Sequence, residues 1–251
     1  MRKIDISPCD IALSLVLLTR LPVPNLPKAA FARQAQATWA FPLVGLAVAL
    51  PACCLAWGLL ALGLPAQVAA GGCLGLQILL TGAMHEDGLA DSADGLWGGF
   101  DEDRRLEIMK DSNIGAYGVI ALILGLGLRW SLSAALLAAG QLWSLVALAM
   151  LSRAVMPCLM ASLPNARGSG LSEQVGRPNP ALAVLGAVLA LGAGFAFTGA
   201  PIWIMGFTAA LTAVAVAQIA KAKIGGQTGD ILGASQQLAE ITCAIALLAQ
   251  L

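Results

Sequence analysis

The sequence has little charge and few aromatic or titratable side chains. Only 11% of its 251 residues are charged and 5% are aromatic, and it contains one histidine and one tyrosine. A soluble domain usually carries about 25% charged residues, so this chain has too little polar surface to be covered by water alone. Its formal net charge is zero, which gives no electrostatic basis for nucleic-acid binding.

The cysteines form no recognisable metal-binding or redox motif. They are scattered through apolar stretches, without a C-x-x-C pair or a histidine cluster, so we do not expect a zinc site. We interpret them as reduced apolar residues that fill space. The six are Cys9, Cys53, Cys54, Cys73, Cys158 and Cys243.

Long apolar runs dominate the rest of the chain. Hydrophobic residues make up 59% of it, and glycine, at 28 residues, suits close helix packing in membranes. A bilayer core needs about 20 apolar residues in a helix, which predicts an all-α, polytopic membrane helical bundle of about seven transmembrane helices, forming a single domain over residues 1–251. The predicted spans are roughly 39–62, 66–84, 114–128, 132–150, 181–198, 202–220 and 234–250.

Shorter features separate these spans. Gly63-Leu64-Pro65 and Gly199-Ala200-Pro201 predict tight turns between neighbouring helices, since glycine ends and proline begins a helix. The apolar run at residues 11–18 is too short to cross a bilayer. It predicts an interfacial or short re-entrant helix rather than a signal peptide.

The basic residues predict the orientation. If the N-terminus, with Arg2 and Lys3, is cytoplasmic and the spans alternate, all of the 14 lysines and arginines except Arg129 face the cytoplasm. That distribution follows the positive-inside rule for an inner-membrane protein. The long polar connections lie on the same side, so we expect the active-site segments at the cytoplasmic face.

Nine of the 14 acidic residues lie within residues 86–111. Asp87, Asp91 and Asp94 are spaced i, i+4, i+7, which places them within about 60° on one helical face. Three carboxylates on one face repel each other unless a cation lies among them, and all-oxygen ligands favour Mg²⁺. The alternative is a solvated acidic helix end, but the segment directly continues an apolar span. Glu86 points elsewhere and is expected to be peripheral.

His85, the single histidine, stands beside this cluster. One interpretation is a structural residue that hydrogen-bonds a neighbour. The other is a proton acceptor or a phosphate contact, because histidine changes charge near neutral pH.

A second polar segment follows a helix break at Gly98-Gly99. Arg104, Glu107 and Asp111 are predicted on one helical face, with Lys110 at its edge. This is either an ordinary solvated surface or, beside a metal cluster, a site for a diphosphate substrate.

A third segment, residues 225–234, precedes the last span. Gly226, Gln227 and Thr228 are candidates to bind an anion through backbone N–H groups at a helix N-terminus. Asp230 would complete the metal site from across the bundle. The basic residues of the central connection, among them Arg153 and Arg167, are either membrane anchors or phosphate contacts.

These motifs resemble the cobalamin synthase family along the whole chain. Asn113, where that family commonly has arginine, is a small departure. The segments that carry the resemblance are His85-Glu86-Asp87-Gly88-Leu89-Ala90-Asp91 with Ala93-Asp94-Gly95, Leu106-Glu107-Ile108-Met109-Lys110-Asp111-Ser112 with Ile114-Gly115, Gly225-Gly226-Gln227-Thr228-Gly229-Asp230 with Leu232-Gly233-Ala234, Thr19-Arg20-Leu21-Pro22-Val23-Pro24, and Phe41-Pro42-Leu43-Val44-Gly45.

The resemblance implies a Mg²⁺-dependent transferase of the bacterial inner membrane. Its substrates would be adenosylcobinamide-GDP and α-ribazole or α-ribazole 5′-phosphate, and its products adenosylcobalamin or its phosphate and GMP. Association with other cobalamin-assembly enzymes is a further expectation. Together with the reasoning from the residues, the resemblance assigns Asp87, Asp91, Asp94 and Asp230 to the metal and Asp87 or His85 to proton transfer. The substrate-binding candidates are Arg104, Glu107, Lys110, Asp111, Gly226, Gln227 and Thr228.

Two other functions remain open at this stage. Asp91-Ser92-Ala93-Asp94-Gly95 also resembles the start of the CDP-alcohol phosphotransferase pattern, although the continuation of that pattern is missing. Intramembrane carboxylates also occur in ion-coupled transporters. Transporters, however, often carry internal repeats and charges at the bilayer midplane, and this sequence shows neither.

Overall fold

The computed structural model describes residues 5–251, so the predicted cytoplasmic position of Arg2 and Lys3 lies outside the described residues. The described chain is helical, with 3-10 turns at Lys28–Arg33 and Thr38–Ala40. The α-helices are α1 (Pro8–Leu18), α2 (Gln34–Ala37), α3 (Phe41–Ala61), α4 (Ala66–Thr81), α5 (Met84–Gly98), α6 (Glu102–Ile108), α7 (Ala116–Ala138), α8 (Ser144–Ser162), α9 (Leu171–Val175), α10 (Pro180–Thr198), α11 (Ile202–Ile224) and α12 (Gly229–Leu248).

The polytopic helical class is confirmed. Six helices are long and apolar enough to cross a membrane, and the bent pair α4 and α5 makes a seventh if it counts as one span. The short helix predicted near residues 11–18 is present as α1. Both predicted tight turns are also present, since α3 ends at Ala61 before α4 and α10 ends at Thr198 before α11.

The predicted boundary between the third and fourth spans was wrong. The turn between α7 and α8 lies at residues 139–143, so Arg129 is inside α7 and only 5% exposed rather than in an outer connection. Arg153 likewise lies within α8, not in the central connection. A charged residue that interrupts an apolar run predicts the end of a span, but buried partners allow such a residue to lie inside the helix.

Helices α8 and α12 form the centre of the bundle. α8 packs against α3, α10 and α12, and α12 packs against α5, α7, α8 and α11. Nearly all of α8 is buried. A Cβ on Gly45 of α3 would overlap the carbonyl of Ala149 in α8, so the absence of a side chain permits the close approach of these two backbones.

The polar connections meet at one end of the bundle. The backbones of Asn165 and Gln227 form a parallel bridge. Lys223 Nζ donates to the Leu96 carbonyl at 2.8 Å, and Arg105 donates to the carbonyl of Lys223 at 2.9 Å. These contacts tie the end of α5 to α6 and α11, and the connection after α8 to the loop before α12.

The carboxylate-bearing helix α5 does not continue α4 directly, contrary to the sequence-based expectation. The chain bends by 86° between the two helices. Gly82 and Ala83 both have positive φ, 66° and 59°, which ends α4 and redirects the backbone. The apolar pattern of the sequence does not predict this bend, because a helix can end without a polar residue.

Candidate active site

The three aspartates of α5 share one helix but have different surroundings. Asp87 is exposed, Asp91 is half-buried and Asp94 is buried. The Asp94 carboxylate accepts hydrogen bonds from the backbone N–H groups of Gly115, at 2.7 Å, and Gly118, at 2.9 Å. Asp94 therefore caps the N-terminus of α7, which satisfies two helix-terminal donors and places a negative charge at the positive end of the dipole.

Three cavities meet at Asp87. The inner cavity, of about 170 Å³, also contacts His85, Arg167 and Asp230. The bend cavity, of about 490 Å³, lies beside Arg20 at the α4–α5 bend. The outer cavity, of about 500 Å³, is also lined by Glu86, Asp91, Lys110, Asp111, Ser112 and Asn113.

The inner cavity brings together residues that are far apart in the sequence. Arg167 Nη2 donates to Asp230 Oδ2 at 2.6 Å, in a pair that is mostly buried. Thr228 Oγ1 also donates to that oxygen, at 3.3 Å. Gly88 of α5 lies against the backbone of Asp230, so α5 and α12 are in direct contact here. Asp230 therefore lies at the contact between α12 and α5 and is paired with Arg167. Its role as a metal ligand stays a prediction.

His85 is 2% exposed, and its Nε2 has no hydrogen-bond partner among the described residues. A buried unpaired polar atom costs free energy, and His85 is one of the residues that line the inner cavity.

The glycine-rich loop before α12 is held by the connection after α8. Gln227 N donates to the Pro164 carbonyl and Ala166 N donates to the Gln227 carbonyl, each at 2.9 Å. A Cβ on Gly226 would overlap the carbonyl of Pro164. Thr228 is the N-cap of α12 and accepts from Ile231 N at 3.3 Å. In this conformation Gln227 and Thr228 position the start of α12, and with it Asp230.

The second polar segment is only partly helical. The sequence pattern predicted Asp111 on one helical face with Arg104 and Glu107. That prediction was wrong, because α6 ends at Ile108. Arg104 and Glu107 form an exposed ion pair at 2.5 Å, and neither residue lines any of the three cavities. Lys110 lies in the following turn and lines the outer cavity.

Asp111 lines the same cavity from that turn. The backbone N–H of Asn113 donates to its Oδ1 at 3.1 Å, and Asn113 Nδ2 donates at 2.7 Å. These hydrogen bonds lower the pKa of the Asp111 carboxyl, because they stabilise its charged form. Asp111 thus remains an anion that faces the entrance to the carboxylates of α5.

A buried ionic network, which sequence reasoning missed, lies behind α5. Glu86 is only 6% exposed, so the expectation that it would be peripheral was wrong. Arg129 pairs with both glutamates: its Nη1 lies 2.7 Å from Glu86 Oε1, and its Nη2 lies 2.8 Å from Glu240 Oε1. Gln237 accepts from Arg129 and donates to Glu86, both at 3.0 Å. The signal that could have found this network was the presence of opposite charges within or just after predicted apolar spans: Glu240 lies within 234–250, Glu86 follows 66–84 and Arg129 follows 114–128.

Within residues 5–251 the structure contains no ready-made group of three His, Cys, Asp or Glu side chains that would hold a metal ion by themselves. All six cysteines are free. Mg²⁺, however, is commonly bound by one or two carboxylates together with water and substrate phosphates. The exposed Asp87 and the half-buried Asp91 beside an open cavity suit that mode of binding, whereas Asp94 is already engaged by α7.

Comparisons with known proteins agree over nearly the whole chain. A family model described as "Cobalamin-5-phosphate synthase" matches residues 10–248. A protein of Sinorhizobium sp is 43% identical over 92% of this chain and 93% of its own length. One of Bradyrhizobium diazoefficiens is 44% identical over 92% of this chain and 90% of its own. Both are named "Adenosylcobinamide-GDP ribazoletransferase". No solved structure matches the chain.

Proposed function

The chain belongs to the cobalamin-5-phosphate synthase family, and from this we infer that it has the ribazoletransferase activity for which its relatives are named. The reaction transfers the adenosylcobinamide-phosphate moiety of adenosylcobinamide-GDP to α-ribazole or α-ribazole 5′-phosphate. The products are adenosylcobalamin or its 5′-phosphate and GMP. The observation that carries this inference is the match of a single family model to residues 10–248, with every polar motif included.

The chemistry requires a hydroxyl oxygen of the ribose to attack phosphorus while the bond to GMP breaks. The hydroxyl proton must go to a base, and negative charge develops on the departing GMP. Asp87 is proposed as the proton acceptor, because it is exposed where the three cavities meet. His85, in the inner cavity, is the alternative.

The proposed metal is Mg²⁺, held by Asp87 and Asp91 with Asp230 as a further ligand when Arg167 releases it. Bound there, Mg²⁺ would neutralise phosphate charge. Asp94 was also expected to be a ligand of this metal. Its proposed binding to the metal competes with the hydrogen bonds that its carboxylate accepts from α7.

Cationic side chains are proposed to bind the diphosphate. Lys110 in the outer cavity is well placed for this, with Asp111 beside it. Arg104 and Glu107 stay proposed substrate-binding residues, which a large substrate would contact outside the outer cavity. Gly226, Gln227 and Thr228 are proposed to act through the position that they give Asp230.

The protein is a multi-pass membrane protein by the length and composition of its helices. We place it in the bacterial inner membrane with the active site facing the cytoplasm, which the positive-inside distribution of its basic residues supports. Association with other cobalamin-assembly enzymes stays a prediction.

The test is an assay of the purified protein in detergent, with adenosylcobinamide-GDP and α-ribazole 5′-phosphate, with and without Mg²⁺. We expect GMP release that needs both substrates and the metal. Turnover that persists in excess chelator would remove Mg²⁺ from the proposal. Absence of GMP release in the presence of both substrates and Mg²⁺ would contradict the proposed function itself.

A further inference from the structure

The inner cavity has two chemically different sides. One side carries the polar groups His85, Asp87, Arg167 and Asp230. The other is apolar and lies between α1, α3, α8, α9 and α12. Its buried side chains are Leu18, Phe41, Met156, Met160, Val175 and Leu232. Such a site fits a ligand with an apolar body and a polar edge.

The volume of the inner cavity limits the ligand. Drug-sized molecules occupy pockets of about 300–1,000 Å³, and the inner cavity is about 170 Å³. It is therefore too small for the corrin ring of the cobinamide substrate, and it suits one fused aromatic ring system. Ribazole has such a group, since it is the riboside of a dimethylated benzimidazole.

The apolar side chains suit a flat aromatic ring. Met156 and Met160 project from α8, and Met84 adds a third thioether at the start of α5. Methionine sulfur makes favourable contacts with aromatic rings, and its flexible side chain fits irregular shapes. Phe41 adds an aromatic partner.

The polar side chains suit the rest of a benzimidazole riboside. Such a base has one unsubstituted ring nitrogen, a hydrogen-bond acceptor, and His85 Nε2 is buried without a partner among the described residues. Arg167 Nε is also buried and unpaired there. Binding a ligand that pairs with these nitrogens offsets the cost of leaving them unpaired.

We propose, on the basis of the proposed function, that the inner cavity binds the benzimidazole base of the ribazole substrate. The base lies between Phe41 and the methionines of α8, the ribose lies toward Asp87, and the 5′-phosphate, when present, lies toward Arg167. This places the attacking nucleoside on the inner side of Asp87 and leaves the outer cavity, with Lys110, for the GDP-bearing substrate.

The first test enlarges the cavity. Met160→Ala should shift binding toward a riboside with a larger base, and Met150→Ala is its matched control, because Met150 lies buried on the same helix away from the cavity. The readout is the ratio of dissociation constants for naphthimidazole and dimethylbenzimidazole ribosides, measured by equilibrium dialysis in detergent. One methylene in an apolar pocket contributes about tenfold or more. We expect a shift of at least that size for Met160→Ala and none for Met150→Ala.

The second test narrows the cavity from α9, outside the long helices. Val175→Phe should favour unsubstituted benzimidazole riboside over the dimethylated one by about tenfold. A ratio of two affinities in one protein sample is insensitive to partial unfolding. If both cavity variants keep the wild-type ratios within twofold, or if Met150→Ala shifts them equally, the proposal is wrong.

These outcomes are separable from the proposed function. Size-dependent riboside binding without GMP release would keep the base pocket and overturn the transferase reaction. GMP release with unchanged base preference in both cavity variants would keep the reaction and overturn the pocket.

Discussion

Asp87 and Asp94 occupy the same face of α5 in the sequence pattern but serve different partners in the fold. Asp94 is buried and accepts from two backbone N–H groups at the start of α7. Asp87 is exposed where the three cavities meet. A helix cap and a candidate catalytic group thus lie seven positions apart on one helix, so changes at the two positions should have different consequences.

We expect Asp94→Asn to reduce the free energy of unfolding by about 1 kcal/mol, because it weakens a helix cap. Asp87→Asn should leave thermal unfolding unchanged but reduce GMP release at least about 100-fold, through loss of the proposed base and metal ligand. Thermal unfolding and turnover, measured on the same detergent samples, separate the two effects. Full turnover by Asp87→Asn would remove Asp87 from the mechanism.

At the scale of helices, the direction of α5 depends on the bend at Gly82 and Ala83. Gly82 tolerates a φ of 66° without strain, and Ala83 adopts a φ of 59° despite its Cβ. A Cβ on Gly82 would also lie 2.7 Å from Nε of Arg20. The two neighbouring positions therefore make a matched pair for substitution.

Gly82→Ala should destabilise the protein by about 1–2 kcal/mol, the cost of left-handed backbone for an L-residue. Ala83→Gly should be neutral or stabilising by up to about 1 kcal/mol, since relief of strain competes with greater freedom of the unfolded chain. Thermal unfolding of both variants in one detergent gives the comparison. Equal destabilisation by both changes would show that the bend is not set by backbone strain.

The Glu86–Arg129–Glu240 network fixes α5 to α7 and α12. The Arg129 and Glu86 side chains are 4% and 8% exposed, whereas the Arg104–Glu107 pair is 57% and 69% exposed. Removing one partner of a buried pair leaves an uncompensated charge in a low dielectric, while a solvated pair contributes little.

Arg129→Met should therefore cost about 3–5 kcal/mol of stability, and Arg104→Met should change it by less than about 1 kcal/mol. Removing one of the two carboxylates that are left unpaired, with Glu86→Gln in the Arg129→Met background, should recover part of the loss. The measurement is unfolding of the three variants under identical detergent and salt. A loss for Arg129→Met no larger than that for Arg104→Met would mean that water reaches the network.

At the scale of the molecule, the two ends of the bundle differ in composition. Tight apolar turns lie at one end, and the long connections that build the cavities lie at the other. The structure moves Arg129 from an outer connection into α7, so no lysine or arginine of the described residues lies in the turns 62–65, 139–143 or 199–201. The charge asymmetry behind the proposed topology is therefore stronger than the sequence pattern suggested.

Cysteine labelling tests this orientation. In a variant without the native cysteines, single cysteines at Asp101 and Ser169 should react with a membrane-impermeant reagent only from the cytoplasmic side. Both positions are exposed at the cavity-bearing end. A cysteine at Leu62, in the turn after α3, is the control and should react from the opposite side. Periplasmic labelling at Asp101 would overturn the topology.

The sequence by itself determined the helical membrane class, the tight turns and the segments that carry the chemistry, because apolar length, glycine and proline positions, and motifs are local properties. Only the tertiary structure decided which charged residues meet. Arg129 and Glu240 are 111 residues apart in the chain, and Arg167 and Asp230 are 63 apart. Periodicity places a side chain on a face of its own helix, but partners, burial and cavity position depend on how other helices pack against that face.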